Sequence, residues 1–442
     1  MATRVGMVSL GCPKNQVDAE HMLYDLKQQG FEIIADAALA DVVIVNTCGF
    51  IESAKQEAID TILELSELKK EGRIKALIAT GCLAERYRDE MVKEMPELDA
   101  VIGLGSNAKL CDIITQVLAD KKQVCAYGEN TDLCLEGGRI ISTEPFCAYI
   151  KIAEGCSNCC TYCAIPSIRG AFRSRKIEDI IEEAKWLAQS GVTELVVVAQ
   201  DTTRYGEDIY GKSELPRLLR ELCAIDGFKW IRTLYCYPER ITDELLDTIA
   251  SEEKLVKYID MPLQHCNGDI LRRMNRSGDR QSLTQLVEHI RQKIPGVILR
   301  TTLIVGFPGE SDEQFEELCE FVKQIKFERL GCFAFSPEEN TPAFDMPDQV
   351  HLKTRERRAE IIMEEQMLIS DEFNEKCCGK TLQVVCEGFD RYAECYYGRS
   401  AFDAPEIDGK VFFMSDKKVA VGEYVNVLVD DTLDYDLIGS RV

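Results

Sequence analysis

Read for its alternation of apolar and polar positions, the stretch from residue 1 to about 125 repeats one unit three times. Each instance is an apolar run, a small polar turn, a cysteine and an amphipathic stretch: VGMVSLGCPKN, DVVIVNTCGFI and IKALIATGCLAER. Apolar runs of this length followed by helical periodicity predict strand–helix units, and hence a parallel sheet with covering helices over 1–125. Residues 126–143, rich in Gly, Thr and charge, read as a linker.

From 144 the strand–helix alternation resumes. FCAYIKIA, TELVVVAQ, KWIRTLYCY, LVKYIDMPL, VILRTTLIV and RLGCFAF are strand candidates. Between them, Ile177, Ile180, Ile181, Ala184, Leu187 and Ala188 form one helical stripe that Gly191 is placed to end. A second helix starts at Ser311, with Gln314 set for a capping box and Phe315, Leu318, Cys319, Val322 and Ile325 facing inward. Six such units over 144–375 predict a partly open relative of the eight-stranded barrel. A strongly charged helical pattern over 352–376 reads as a connector packed along one face. Five short strands then fill 376–442 (TLQVVCEG, ECYYGRS, KVFFMS, YVNVLVDD and YDLIGSRV), the pattern of a small closed β-barrel used for recognition.

A chain of 442 residues is long enough for two or three such domains. The start, MATRVGMVSLGCPKN, lacks a basic-then-apolar export signal, and no run approaches the ~18 apolar residues of a membrane span, so a cytoplasmic protein is expected. Twenty cysteines in a long intracellular chain point to metal or redox chemistry rather than disulfides. Cys223, Cys319 and Cys332, in apolar-patterned segments, read as small buried hydrophobes. The net charge of −24 disfavours a nucleic-acid phosphate partner and suits a basic protein.

Two cysteine sets carry the candidate chemistry. Cys12, Cys48 and Cys82 follow three predicted strands at spacings of 36 and 34 residues. Sites in parallel sheets form beyond the carboxyl ends of the strands, so these thiols should converge; the alternative is three unrelated buried thiols. The second set is local: YIKIAEGCSNCCTYCAIPSIRGAFRSR places Cys156, Cys159, Cys160 and Cys163 within eight positions. Structural zinc draws cysteine pairs from separate turns, whereas here the pairs abut and the neighbours Cys159 and Cys160 diverge. Cys156, Cys160 and Cys163, with Tyr162 before the last, instead suit an iron–sulfur cube. Such a cube usually takes four thiolates, so three leave one iron open to a ligand such as S-adenosylmethionine. Cys159 is then a spare thiol.

The C-x3-C-x2-C loop after a strand in a six-unit barrel resembles the radical S-adenosylmethionine enzymes. The amino-terminal three-cysteine domain and the carboxy-terminal barrel, of TRAM type, narrow the resemblance to the methylthiotransferases. GCPKNQVDAE, AIPSIRGAFRSR, VAQDTTRYGEDIYG, TTLIVGFPGE, FSPEENTPA and FDAPEIDG are similar to the branch that modifies a ribosomal protein. Cys159 departs from the family, where that position is usually polar or basic.

The resemblance implies methylthiolation of the β-carbon of an aspartate in the twelfth small-subunit ribosomal protein, free or in the assembled 30S subunit. It implies two [4Fe-4S] clusters, on Cys12, Cys48 and Cys82 and on Cys156, Cys160 and Cys163. It also implies two S-adenosylmethionine molecules, one giving methyl and one giving a radical, and an electron donor such as flavodoxin or ferredoxin. Tyr162, Gln200, Asp201 and Arg300 become candidate S-adenosylmethionine contacts. His265 reads as structural, Lys14 and Asn15 as shaping their loop, and VGFPGE as a turn. Two rivals stand beside this reading: a transfer-RNA adenosine methylthiotransferase, and a non-catalytic iron–sulfur or zinc module. Between Cys377 and Val442, seven Lys or Arg face twelve Asp or Glu, crowded into FDAPEIDG and VDDTLDYD. Those loops, with Asp403, Glu406 and Asp408, are expected to dock a basic protein, with no direct nucleic-acid binding at this barrel and no membrane partner.

Overall fold

A computed structural model describes residues 2–120, 122–133 and 135–442. The chain divides into two compact units: Met1–Ser142 with Ala153–Arg175 and Ser336–Phe344, and Thr143–Ile152 with Lys176–Phe335 and Asp345–Val442.

The first unit is built on six parallel strands: β1 (Arg4–Ser9), β2 (Glu32–Ile34), β3 (Val42–Thr47), β4 (Ala76–Gly81), β5 (Ala100–Ile102) and β6 (Val124–Ala126), in the order β2-β1-β3-β4-β5-β6. Strand side chains alternate between faces, and the core divides accordingly. Val43, Val45, Leu77, Ala79 and Val101 pack with Ala58, Ile62 and Leu65 of α2 (Glu52–Lys70) and Leu83, Ala84 and Met91 of α3 (Cys82–Glu94). Val42, Ile44, Ala76, Ile78 and Ile102 face Ala19, Met22 and Leu26 of α1 (Pro13–Gln28) and Ile113, Ile114 and Val117 of α4 (Leu110–Asp120). With helices on both faces, β3 and β4 are buried at every residue, which is why their sequences read as unbroken apolar runs.

The segment read as a linker is bound to this unit. Arg139 pairs with Glu20 of α1, both fully buried, and the Ser142 amide donates to the same carboxylate at 2.8 Å. Gly138 lies so close to the Tyr24 ring that a Cβ would come within 2.2 Å of it. Its polar composition supplies anchors rather than slack.

In the second unit, six parallel strands form two arcs of three, Cys147–Lys151, Glu194–Val198 and Trp230–Thr233, then Tyr258–Asp260, Ile298–Val305 and Arg329–Ala334. A bridge from Ile231 to Leu255 joins the arcs into one partial barrel. The expected helices are present: Ile177–Gln189 buries Ile177, Ile180, Ala184 and Leu187, and Asp312–Ile325 is capped by the reciprocal Ser311–Gln314 bonds. Two expected inward positions differ. Cys319 and Cys332 are half-exposed, and Phe321 takes the fully buried place beside Leu318 and Val322. The charged helix Leu352–Glu375 docks by a polar stripe: Arg355 donates to the Phe335 carbonyl at 2.7 Å and Gln366 to the Phe327 carbonyl at 2.9 Å.

The last five strands close into a barrel in the order Thr381–Asp390, Cys395–Ser400, Val411–Met414, Asp436–Arg441, Tyr424–Leu433. It docks at the amino ends of the strands of the larger barrel, where four opening residues meet it. Glu194 pairs with Arg399 at 2.7 Å, Arg329 with Asp403 at 2.6 Å, Tyr258 donates to Asp408 at 2.6 Å, and Trp230 packs edge-on against Tyr424.

This corrects the expected docking surface. Asp403 and the side chain of Asp408 are buried in that junction and are not presented to a partner; their loop folds back onto Arg329, Arg300 and the Tyr258 hydroxyl. Glu406 remains exposed, as do Asp430, Asp431 and Asp434 of the second acidic run. Among the described residues no helix is long and apolar enough to cross a membrane.

Candidate iron–sulfur sites

Strand order decides where the first cysteine set lies. β1, β3 and β4 are neighbours, with Ser9 paired to Asn46 and Thr47 to Gly81. Cys48 and Cys82 are therefore the next residues beyond one rung of the ladder, and Cys12 ends the loop from β1 as the residue before α1. Two glycines let the loops close on each other. Gly11 (φ +90°) lies where a Cβ would come within 2.8 Å of Cys48 Sγ, and at Gly81 (φ +92°) a Cβ would meet the Thr47 carbonyl at 2.4 Å. Positive φ at these points needs glycine.

Two asparagines lock the frame beneath. Asn15 Nδ2 donates to the Leu10 carbonyl at 2.7 Å, and Asn46 Nδ2 to the Asn15 carbonyl at 2.8 Å. Burial pushes the Cys82 thiol up to about 12 and the Cys48 thiol upward as well. Burial acts the same way on Cys12, but Lys14 and Arg169 outweigh it and hold that thiol below its ordinary range. A bound metal would draw the protons off such thiols.

Arg169 is a residue the sequence reading missed. It is 1% exposed and ends the short helix Ile165–Arg169, just after the second cysteine set. Its guanidinium donates to Asp18 Oδ2 and Glu154 Oε2, each at 3.0 Å, to Asn15 Oδ1 at 3.3 Å and to Cys82 Sγ at 3.5 Å. The one signal was its place in AIPSIRG, quoted for the resemblance without a role.

The second set sits on a loop shaped by its own backbone. Gly155 (φ +71°) turns the chain so tightly that a Cβ would meet the Ala171 carbonyl at 2.3 Å. The Cys156 amide donates to the Gly170 carbonyl at 3.1 Å and the Cys163 amide to the Cys160 carbonyl at 3.0 Å. Cys156, Cys160 and Cys163 are half-buried, as is Tyr162; Cys159 is exposed, with φ +51° and its Sγ turned to the Ser157 carbonyl at 3.7 Å. Burial first, then the fields of Cys160, Cys156 and Cys159, push the Cys163 thiol up to about 12. The FSPEENTPA segment braces this unit: Glu338 takes Arg86 at 2.8 Å and Lys55 at 3.1 Å, and the Ala343 amide donates to the Thr161 carbonyl at 2.9 Å.

Among the described residues, no three Cys, His, Asp or Glu side chains converge closely enough for a single ion. A lone zinc needs its sulfurs about 2.3 Å from one centre, whereas a cube offers each thiolate its own iron and so spreads them. Three thiols at adjacent strand ends and three on one loop are the kind of donor set such a cube takes.

The remaining candidates lie in the second unit. Gln200 and Asp201 follow the strand Glu194–Val198; Asp201 is fully buried and accepts from Thr203 Oγ1 at 2.6 Å. Arg300 is engaged by Asp260 at 3.0 Å and Asp408 at 3.7 Å, near the end of the barrel where the carboxy-terminal barrel docks. His265 is fully buried, its Nδ1 accepting from the Asn267 amide at 2.9 Å, and burial drives its pKa down to about 3.

Comparison with known proteins gives three family matches: residues 4–103 to the uncharacterized protein family UPF0004, 150–322 to the radical SAM superfamily, and 378–442 to the TRAM domain. The chain is 50% identical over 436 residues, 98% of its length and 99% of the relative's, to a ribosomal protein uS12 methylthiotransferase RimO of Thermoanaerobacter sp.. It is 52% identical, at 98% and 99% coverage, to the protein of that name from Caldanaerobacter subterraneus. To that of Clostridioides difficile it is 50% identical, at 99% and 98% coverage. Among solved structures, the radical S-adenosylmethionine methyltransferase TsrM of Kitasatospora setae matches at TM-score 0.58 and 14% identity, covering 88% of this chain and 79% of that one, a likeness of fold.

Proposed function

The chain belongs to the RimO family of ribosomal protein uS12 methylthiotransferases, and on that footing we propose how its residues divide the work. It is a radical S-adenosylmethionine enzyme that uses two [4Fe-4S] clusters, and its substrate is ribosomal protein uS12. In our reading Cys156, Cys160 and Cys163 hold one cluster, and Cys12, Cys48 and Cys82 hold the other. A cluster held by Cys156, Cys160 and Cys163 would supply the electron for reductive cleavage of S-adenosylmethionine.

The protein's own part is to place and to shield. The turn through Gly155 and Gly170 shapes the loop, on which Cys156, Cys160 and Cys163 are half-buried and Cys159 exposed, which supports the choice of the first three. The rung Thr47–Gly81 holds Cys48 and Cys82 level, and burial keeps water from that site. The resemblance assigns Tyr162, Gln200 and Asp201 to S-adenosylmethionine, whereas Arg300 is held by Asp260 and Asp408. The modified atom is the β-carbon of an aspartate of uS12. The reductant is a small donor such as flavodoxin or ferredoxin, the compartment the cytoplasm, and the carboxy-terminal barrel serves protein rather than nucleic-acid contact.

The observation that carries this reading is that three cysteines far apart in sequence lie at adjacent strand ends, in the same compact unit as the loop set. Incubating anaerobically reconstituted protein with intact small subunits, transfer RNA and S-adenosylmethionine tests it. Mass spectrometry should find the methylthio mass on uS12; the same mass on transfer RNA alone would refute the substrate assignment.

A further inference from the structure

We propose that Arg169 is a positioning residue of the strand-end thiol site, where its N–H···S bond to Cys82 sets the charge and raises the reduction potential of the cluster held there. The inference rests on the reading that Cys12, Cys48 and Cys82 are the ligands. The guanidinium is fully buried, and its two terminal nitrogens face different neighbours. Nη1 takes both carboxylates, Asp18 and Glu154, while Nη2 takes Asn15 Oδ1 and Cys82 Sγ.

A buried cation held only for stability is a poor investment, because apolar packing of the same volume usually does as well or better. Here the cation ends on a ligand sulfur, and hydrogen bonds to cluster sulfurs are a principal means by which proteins tune potential. The two carboxylates hold the cation charged and fixed along one edge and leave the other edge for sulfur. Lysine, a single point charge without the planar fork, cannot serve both edges at once.

The placement adds a consequence. Arg169 lies six residues after Cys163, on the same short peptide as the loop set. Asp18 and Asn15 belong to α1, which begins right after Cys12, and Glu154 lies two residues before Cys156. One guanidinium thus ties the backbone of the loop set to a thiol of the strand-end set.

The test uses two full-length backgrounds, each retaining one cluster: Cys156, Cys160 and Cys163 all changed to Ala, or Cys12, Cys48 and Cys82 all changed to Ala. Arg169→Lys is introduced into both, and iron content and midpoint potential are measured by anaerobic spectroelectrochemical titration. We expect undiminished iron in both, a lower potential for the strand-end cluster, and no shift for the loop cluster. An unmoved strand-end potential, or an equal shift in both backgrounds, overturns the proposal. So does loss of strand-end iron in Arg169→Lys, which would make the arginine a part of the frame alone. Absence of iron from the strand-end background before Arg169 is changed refutes the ligand reading instead.

Discussion

Buried charge does different work in the two units. In the first, Arg169 collects Asp18, Glu154 and Asn15 and ends on the thiol of Cys82. In the second, Glu194 with Arg399, Arg329 with Asp403 and Tyr258 with Asp408 join one barrel to another. The bonds around Arg169 run from 3.0 to 3.5 Å and those of the junction from 2.6 to 2.7 Å, yet both networks are buried. What marks a network as part of a site is the group on which it ends, so a buried ion pair alone says little about function.

The strongest way to break the comparison is through the loop cysteines. Cys160→Ala should remove about half of the roughly eight irons expected from two cubes and abolish S-adenosylmethionine cleavage, while Cys159→Ala should keep both. Iron analysis and the yield of 5′-deoxyadenosine read this directly. Equal iron loss in the two variants would mean that the exposed thiol of Cys159 is a ligand.

Next comes the junction in the second unit. Asp403→Asn leaves Arg329 buried without its partner and should cost about 3–5 kcal/mol in denaturant unfolding, with iron content unchanged. Glu406→Gln, on the same loop but exposed, should stay within about 0.5 kcal/mol. Similar costs for the two would dissolve the distinction between a built junction and a solvated face.

How much of this was legible depended on the range of the cause. The loop set is written in consecutive residues, where spacing and the divergence of Cys159 from Cys160 reflect local geometry. The strand-end set was legible only through repetition, because three matching strand–turn–cysteine units imply matching places in a sheet. The Ser311–Gln314 cap and the five short closing strands were likewise local signals. The roles of Asp403 and Asp408 were hidden, since their partners Arg329 and Tyr258 lie 74 and 150 residues away and a run of acids looks solvated. Arg169 was hidden for the same reason, and the supposed linker because one buried pair, Arg139 with Glu20, fixes it.

His265 sharpens the contrast by pH. Its pKa in the folded protein is about 3, below the ~6.5 of an unfolded histidine, so the unfolded chain binds the extra proton first on acidification. The stability it contributes is full above about pH 6.5 and lost as pH falls toward 3. Between pH 7 and 5 that loss is about 2 kcal/mol. The difference in unfolding free energy between the parent and His265→Gln should change by this amount over the interval; a constant difference would mean the ring is charged or solvated.

The smallest effect concerns the exposed acids. Replacing Glu406, Asp430, Asp431 and Asp434 with their amides should slow capture of basic uS12 a few-fold at low salt, and the effect should vanish near 0.5 M salt, where screening is nearly complete. Unchanged capture at low salt would place the docking surface elsewhere.

The central claim is that the two cysteine sets hold separate clusters with separate tasks, and Cys48→Ala tests it most directly. The variant, reconstituted anaerobically and given small subunits, reductant and S-adenosylmethionine, is assayed in one reaction for 5′-deoxyadenosine and for the mass of uS12. The account predicts that cleavage continues while uS12 gains no methylthio mass. Methylthiolated uS12 at the parent's level would contradict it.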